Sequence, residues 1–114
     1  MPSDAATVLL DIEHHIKLAE QFVTDLDFPE FQDDLRSLYA VIRYLEIISE
    51  ASRRLPDELK ARHPLIPWRE IACAGNIYRH DYEDVAARLV WDTVKLALPS
   101  LNTAIASEIE RASR

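Results

Sequence analysis

Apolar residues recur at steps of three and four along most of the chain, the spacing that places them on one face of an α-helix. The first such stripe follows Ser3, a residue type that caps helices, and runs through Ala5, Val8, Leu9, Ile12, Ile16, Ala19, Phe22, Val23 and Leu26. The second runs through Phe31, Leu35, Leu38, Ile42, Leu45 and Ile48, and ends near Arg54. Asp27 and Pro29 separate the two stripes. We therefore expect two long helices that pack antiparallel.

The rest of the chain continues the pattern in shorter stripes. Three prolines mark the stretch from Pro56 to Pro67 as a loop that holds one short turn of helix at most. A third stripe comprises Trp68, Ile71, Gly75, Tyr78 and Tyr82, and a fourth comprises Val85, Leu89, Val90, Val94 and Ala97. Pro99 either kinks the fourth helix or begins a fifth. The prediction is an all-α, up-and-down bundle of four to five helices, with a single domain over residues 1–114.

Composition agrees with helices and narrows the class of protein. The chain has one glycine, so it has little means of building tight hairpins. The single cysteine, Cys73, cannot form an intramolecular disulfide, and we expect it to pack in a helix. No apolar run reaches the length of about 20 residues that spans a bilayer, and no secretory signal is evident. We expect a cytoplasmic protein that does not enter membranes.

Charge is distributed unevenly. The first 50 residues carry 3 basic and 11 acidic side chains, whereas residues 51–114 carry 10 and 9. Such an acidic excess argues against a general nucleic-acid coat, which needs cations to neutralise phosphates. A local basic stretch comprises Arg53, Arg54, Lys60, Arg62, His63 and Arg69. Two interpretations remain open: a solvated surface, or a rim that attracts phosphate.

The candidate chemistry lies near the end of the third stripe. Asn76, Arg79, His80 and Glu83 are three or four residues apart, so they share one polar face if the helix extends that far. Histidine exchanges protons near neutral pH, and arginine binds phosphate oxygens through a planar fork of donors. The pair can hold a phosphodiester and assist its cleavage without a metal ion. The alternative is a helix cap or an ordinary surface pair.

Other chemistries find less support in the sequence. His14 and His15 are adjacent, so they point to different faces of a helix and do not form a chelating pair. A chain with one glycine has no glycine-rich phosphate loop. We therefore predict neither a metal site nor a cofactor.

Several short motifs together resemble the HepT-like branch of the HEPN superfamily. They are Ser49-Glu50-Ala51, Ile66-Pro67-Trp68, Trp68-Arg69-Glu70-Ile71, Asn76, His80-Asp81-Tyr82, Val85, Val90-Trp91 and Leu98-Pro99-Ser100-Leu101. They occur in one order across two predicted helices and the loop before them. The resemblance extends from about Asp11 to Ile105.

The resemblance implies a helical bundle that dimerises, with active sites where two copies meet. Many members are metal-independent ribonucleases, and the family's histidine corresponds to His80, with Asn76 following the position of the motif arginine. HepT-type members are toxins paired with a minimal nucleotidyltransferase antitoxin. That antitoxin attaches nucleotides to a tyrosine, which corresponds here to Tyr82.

The sequence departs from the family pattern at the motif arginine, where Gly75 stands instead. Losing a guanidinium removes the group that steadies a phosphate as charge develops. We therefore predict weakened cleavage, with Arg79 as a substitute cation. The alternative is a non-catalytic subunit that binds nucleotide or substrate within a nucleotidyltransferase complex. A purely structural bundle is the third possibility.

Overall fold

The computed structural model describes residues 2–78 and 83–114, with side chains for residues 5–74 and 85–114. Its helices are α1 (Pro2–Asp25), α2 (Phe28–Asp33), α3 (Leu35–Arg53), α4 (Asp57–Ala61), α5 (Trp68–Tyr78), α6 (Glu83–Asp92) and α7 (Leu98–Ala112). A π-helical turn, Thr93–Ala97, joins α6 to α7. The described residues include no strand, and the all-α prediction is confirmed.

The second predicted helix is divided into α2 and α3, because aspartates cap two separate helix starts. Asp27 accepts a hydrogen bond from the backbone N–H of Glu30 at 2.9 Å, and Glu30 Oε1 accepts one from the Asp27 N–H at 3.0 Å. Asp34 Oδ1 accepts from the N–H of Arg36 and of Ser37. The hydrogen bond from the Ser37 hydroxyl lowers the pKa of Asp34 most. The apolar stripe therefore continues across the break between α2 and α3, and the spacing of apolar residues alone does not reveal that break.

The two long helices α1 and α3 pack against each other, and α3 also packs against α5. The rings of His15 and Phe22 on α1 lie 5.9 Å and 6.1 Å from the Tyr44 ring on α3. Near the start of α1, Leu9 lines a cavity together with Leu59 of α4, which directly follows α3. The start of α1 is therefore near the end of α3, and the antiparallel prediction is confirmed.

The core is apolar and draws on every long helix. Its fully buried members include Ile12, Ile16, Phe31, Leu38, Val41, Val90 and Ile105. Trp91 lies at its edge, with its ring 5.7 Å from that of Phe28 and 5.4 Å from that of Phe31. Burial of side chains of this size stabilises the fold by about 1.5–3 kcal/mol each.

The predicted inward face of α6 is wrong in part. Val85 is 55% exposed and Leu89 is 37% exposed, and Ala97 in the π-helical turn is exposed as well. The buried residues are Ala86, Ala87, Val90 and Val94. Small alanine side chains let α6 approach α2 and α3, with which it is in contact. The larger apolar residues at Val85 and Leu89 remain on the outside.

Pro99 produces both a distortion and a new helix start. The Leu98 N–H donates to the carbonyl of Thr93, five residues earlier, as in a π-helix. Proline has no N–H to offer the carbonyl of Lys95, so the regular ladder is interrupted there. Pro99 lies in the first turn of α7. Pro99 thus both distorts the end of the fourth predicted helix and lies at the start of a further helix, so each of the two predicted alternatives is partly correct.

Cys73 is exposed, so the expectation that it packs in a helix interface is wrong. Among the described side chains of α5, those that pack against the core are Trp68, Ile71 and Ala74, and Cys73 is not one of them. Among the described helices, none combines the length and hydropathy that crossing a membrane requires.

Candidate functional site

The predicted site follows directly from α5 and precedes α6. Asn76 lies within α5, although its side chain is outside the described part. Arg79, His80 and Tyr82 lie outside the described residues altogether. What the structure provides is the framework that positions this segment: the anchoring of α5 before it and of α6 after it.

The start of α5 is fixed to α4 and to the loop between the two helices by Trp68. The indole N–H of Trp68 donates to the backbone carbonyls of Lys60 and His63, at 3.1 Å in each case. The ring itself packs against the core. A half-buried indole with a satisfied N–H is a strong anchor because it combines apolar area with a directional bond.

The middle of α5 is held by α3 through one backbone carbonyl, that of Ala72. The buried hydroxyl of Ser49 donates to it at 2.9 Å. The Arg53 guanidinium donates twice, from Nε at 3.0 Å and from Nη2 at 2.5 Å. In an α-helix the carbonyl of residue 72 also accepts from the N–H of residue 76. The contact with α3 therefore lies on the helical turn that carries Asn76.

Arg53 retains capacity to bind further groups. A guanidinium has five N–H donors in a planar fork, and two of its nitrogens are engaged at Ala72. The side chain is exposed. In the part of the chain that the structure describes, Arg53 forms no ion pair. A cation with unused donors therefore stands beside α5.

The helix after the site, α6, contacts α2 through the rings of Trp91 and Phe28 and through the exposed side chain of Arg88. The Arg88 guanidinium carbon lies 4.7 Å from the centre of the Phe28 ring, and the Lys95 ammonium lies 5.4 Å from that of Trp91. These are distances at which cations and aromatic rings attract each other. The helices on both sides of the predicted site, α5 and α6, are thus each held by contacts with other helices or with the loop before α5.

Two members of the basic stretch proposed as a phosphate-attracting rim bind a carboxylate of the protein, and a third contacts α5. Arg62 binds Glu108 in a bidentate manner, Nε to Oε2 at 3.1 Å and Nη2 to Oε1 at 2.6 Å. His63 Nε2 lies 2.7 Å from Oε2 of the same carboxylate. Arg62 and His63 thus serve a carboxylate of the protein, which is a correction to the rim interpretation. Arg53 is the member of the stretch that contacts the turn of Asn76.

Glu108 is a residue that sequence reasoning missed. It is only 4% exposed, and the Arg62 guanidinium, with help from His63, holds its pKa at about 2 against the opposing effect of burial. The signal was present in the sequence. Glu108 follows Ile105 by three residues and so lies on the same apolar face as Leu101 and Ile105. A carboxylate buried on such a face requires a cationic partner.

Comparison with known proteins identifies the family. The family model described as "Ribonuclease HepT-like" matches residues 12–108. A protein of Thermococcus cleftensis named "Probable ribonuclease HepT" is 45% identical over 93 residues, which cover 82% of this chain and 84% of the relative. A "Putative RNase" of Methanocaldococcus jannaschii is 36% identical over 98 residues, covering 86% and 90%.

A third relative, a "Putative RNase" of Caldanaerobacter subterraneus, is 31% identical over 103 residues, covering 88% of this chain and 92% of its own length. No solved structure matches the chain. The family model spans most of the sequence, and the similar proteins align with nearly their whole length. This chain belongs to the HepT-like family.

Proposed function

We propose that this protein is a metal-independent endoribonuclease of the HepT type, with its active site around His80. Family membership carries the proposal, since the relatives are named as ribonucleases and match over most of their length. The residues at the family's positions support it, because His80 and Asn76 are the types expected there. The substrate is RNA.

In the proposed reaction, His80 transfers protons at the phosphodiester while neighbouring donors bind its oxygens. Imidazole suits proton transfer near neutral pH. Asn76 donates through its amide, and the guanidinium of Arg79 neutralises charge that develops on the phosphate. With Gly75 in place of the motif arginine, we expect slower cleavage than an intact motif gives.

RNA cleavage by the purified protein tests this proposal. We expect cleavage of single-stranded RNA in EDTA, with a rate that falls by about 100-fold or more in His80→Ala, since proton transfer contributes at least that much. His14→Ala is the matched control, because His14 is an exposed histidine on α1 and should leave the rate unchanged. RNA that remains intact both in EDTA and with magnesium would contradict the proposal.

We further propose that the protein is the toxin of a toxin–antitoxin pair and that a minimal nucleotidyltransferase is its antitoxin. Attaching a nucleotide to Tyr82 would place anionic phosphate two residues from His80 and block RNA. This activity belongs in the cytoplasm, where the target RNA and the nucleotide donor are available.

The modification can be measured by intact mass after co-expression with the proposed nucleotidyltransferase partner. We expect the mass of one or more nucleotides to be added to the wild-type protein and none to Tyr82→Phe. The phenylalanine variant should also remain toxic in the presence of the partner. Equal modification of wild type and variant would assign the acceptor elsewhere.

Gly75 favours one alternative function, a non-catalytic subunit that binds nucleotide or substrate for a nucleotidyltransferase. This alternative predicts nucleotide-dependent complex formation that His80→Ala leaves unchanged, together with the absence of RNA cleavage. Pull-down with and without nucleotide, run alongside the cleavage assay, distinguishes the two functions.

We also propose a homodimer, with α6 at or near the interface. Val85, Leu89 and Leu96 are exposed at 55%, 37% and 77%, and their spacing of four and seven residues places them along one side of α6 and the π-helical turn. Exposed apolar side chains grouped in this way mark contact surfaces more often than scattered ones do. This surface begins three residues after Tyr82, so a dimer formed there brings two sites close together.

A further inference from the structure

We propose that Arg53 of α3 supplies the phosphate-binding cation that Gly75 does not provide. The inference rests on the proposed function, because it assigns a new residue to the same site. It concerns recognition of a phosphate group of RNA by a guanidinium that comes from another helix.

The position of the guanidinium is the first argument. Its Nε and Nη2 atoms lie 3.0 Å and 2.5 Å from the carbonyl oxygen of Ala72. In an α-helix that oxygen points toward the N–H of residue 76, one turn further along. Residues 72, 75 and 76 share one side of a helix. The Arg53 cation therefore lies on the turn of α5 where the family places its arginine and asparagine.

The second argument is that this cation is available. Arg62 and His63 are engaged with the buried carboxylate of Glu108. Arg53 is exposed, and its partner at Ala72 is a neutral carbonyl rather than an acid. The remaining donors of its planar fork can bind two phosphate oxygens at once. Arg53 is thus a member of the basic stretch that both lies beside α5 and keeps N–H donors free for a phosphate.

The third argument is the glycine itself. Position 75 lies three residues after Ala72, so a side chain there would share the side of α5 that Arg53 approaches. Glycine has no side chain, and it leaves that side open to a group arriving from α3. An arginine at 75 would instead bring a second guanidinium near the first, and like charges repel. The replacement at 75 is therefore compatible with a cation delivered by α3.

Ser49 provides a matched control for the structural role of this contact. Its hydroxyl donates to the same Ala72 carbonyl at 2.9 Å from the same helix, but it carries no charge. Ser49→Ala weakens the link between α3 and α5 and leaves the cation in place. Arg53→Gln removes the cation and keeps an amide donor for the carbonyl. The two variants separate anchoring of α5 from phosphate binding.

The experiment measures cleavage and binding of a fluorescein-labelled single-stranded RNA by the full chain. The variants are Arg53→Gln, Ser49→Ala and the double change Arg53→Gln with Gly75→Arg, each checked for folding by circular dichroism. We expect Arg53→Gln to slow cleavage by about 30-fold or more and Ser49→Ala by less than about threefold. Restoring an arginine at position 75 should recover most of the loss. We also expect Arg53→Gln to reduce the slope of log Kd against log salt by about 0.7, one phosphate contact on a single strand.

The outcomes separate this inference from the proposed function. If wild type cleaves RNA but Arg53→Gln cleaves equally well, or Ser49→Ala loses as much, the inference is overturned while the nuclease stands. If wild type does not cleave, the nuclease proposal fails and the binding data decide on Arg53. A weaker Kd with a reduced salt slope in Arg53→Gln then supports the phosphate contact, and unchanged binding overturns it.

Discussion

At the residue scale, Glu108 shows how one carboxylate organises two distant parts of the chain. It is buried on α7, and its two carboxylate oxygens form hydrogen bonds with Arg62 and His63, which directly follow α4. Burial alone would raise its pKa, since a desolvated charge is unfavourable. The hydrogen bonds from Arg62 outweigh that effect and lower the pKa to about 2. The group is therefore ionised throughout the neutral range.

Glu108→Gln should lower the free energy of unfolding by about 1–3 kcal/mol, because Arg62 and His63 lose their anionic partner. Urea denaturation at neutral pH measures the change. Glu110→Gln is the control on the same helix, since Glu110 is exposed and its replacement should change stability by no more than about 0.5 kcal/mol. Equal effects of the two substitutions would contradict the role given to Glu108.

The difference in unfolding free energy between wild type and Glu108→Gln depends on pH because the pKa of Glu108 is lowered. The carboxyl titrates at 4.5 when unperturbed and at about 2 in the folded protein, so the unfolded state binds the proton first as pH falls. The stabilisation is complete above 4.5 and is lost progressively toward 2. Urea midpoints of wild type and Glu108→Gln should therefore converge on acidification. A gap that stays constant through that range would show that the carboxylate charge is not responsible.

At the element scale, the orientation of α6 decides which of its apolar residues stabilise the fold. Ala86 and Ala87 face inward and allow a close approach, while Val85 and Leu89 face outward. Close-packed interiors tolerate little extra volume. Val90 and Val94 belong to both the predicted and the observed inward face, and Ala86 and Ala87 take the places expected for Val85 and Leu89.

Ala87→Leu should destabilise the protein by about 1–3 kcal/mol, because Ala87 is fully buried and the added atoms have no room. Thermal denaturation followed by circular dichroism gives the change. The same substitution at an exposed alanine of α7, Ala106→Leu, should be within about 0.5 kcal/mol of wild type. A neutral Ala87→Leu would indicate that α6 does not pack on its alanine face.

The sequence predicted element type better than element limits or faces. Long stripes such as Ile12 to Val23 leave no alternative to helix; α1 formed where expected, and α3 covers the second predicted helix from Leu35 onward. The break at Asp34 escaped prediction, because capping by its own side chain does not disturb the apolar spacing. The face of α6 was ambiguous, since the sequence offers apolar residues at 85, 86, 87, 89 and 90. Only the neighbouring helices determine which of them are buried.

The same contrast applies to the candidate site. Asn76 and His80 are predicted from local spacing and Tyr82 from the resemblance to the HepT-like branch, and all three belong to one short segment. The placement of Arg53 beside Ala72 is not predicted, because the two residues are 19 positions apart. A contact of that kind depends on how α3 and α5 pack, which no local pattern specifies.

At the scale of the whole molecule, the distribution of charge points to different uses of the two halves. The first 50 residues carry eight more acidic than basic side chains, and they form α1, α2 and most of α3. RNA is repelled by such a surface. We expect RNA to approach from the side of α5 and α6, where Arg53 and the outward residues of α6 lie.

The homodimer proposal leads to a prediction at this scale. Val85→Lys combined with Leu89→Lys should convert a dimer to a monomer in size-exclusion chromatography with light scattering, because buried ammonium groups oppose association. Circular dichroism should be unchanged, since both side chains are exposed. Leu65→Lys is the control, as Leu65 is 95% exposed in the loop before α5. A wild-type monomer, or a dimer that survives both substitutions, would contradict the proposal.

The ion pair between Arg62 and Glu108 has a consequence for how the chain folds during its synthesis. It joins residues 46 positions apart, and α1 packs against both α3 and α7. During translation, α1 can pair with α3 as soon as both have left the ribosome, but its second neighbour is made much later. The side of α1 that packs against α7 therefore stays exposed to solvent until α7 has been synthesised. The ion pair between Arg62 and Glu108 can form only after that. Non-local contacts of this kind slow folding, because the entropy cost of closing the intervening loop precedes the stabilisation that the contacts provide.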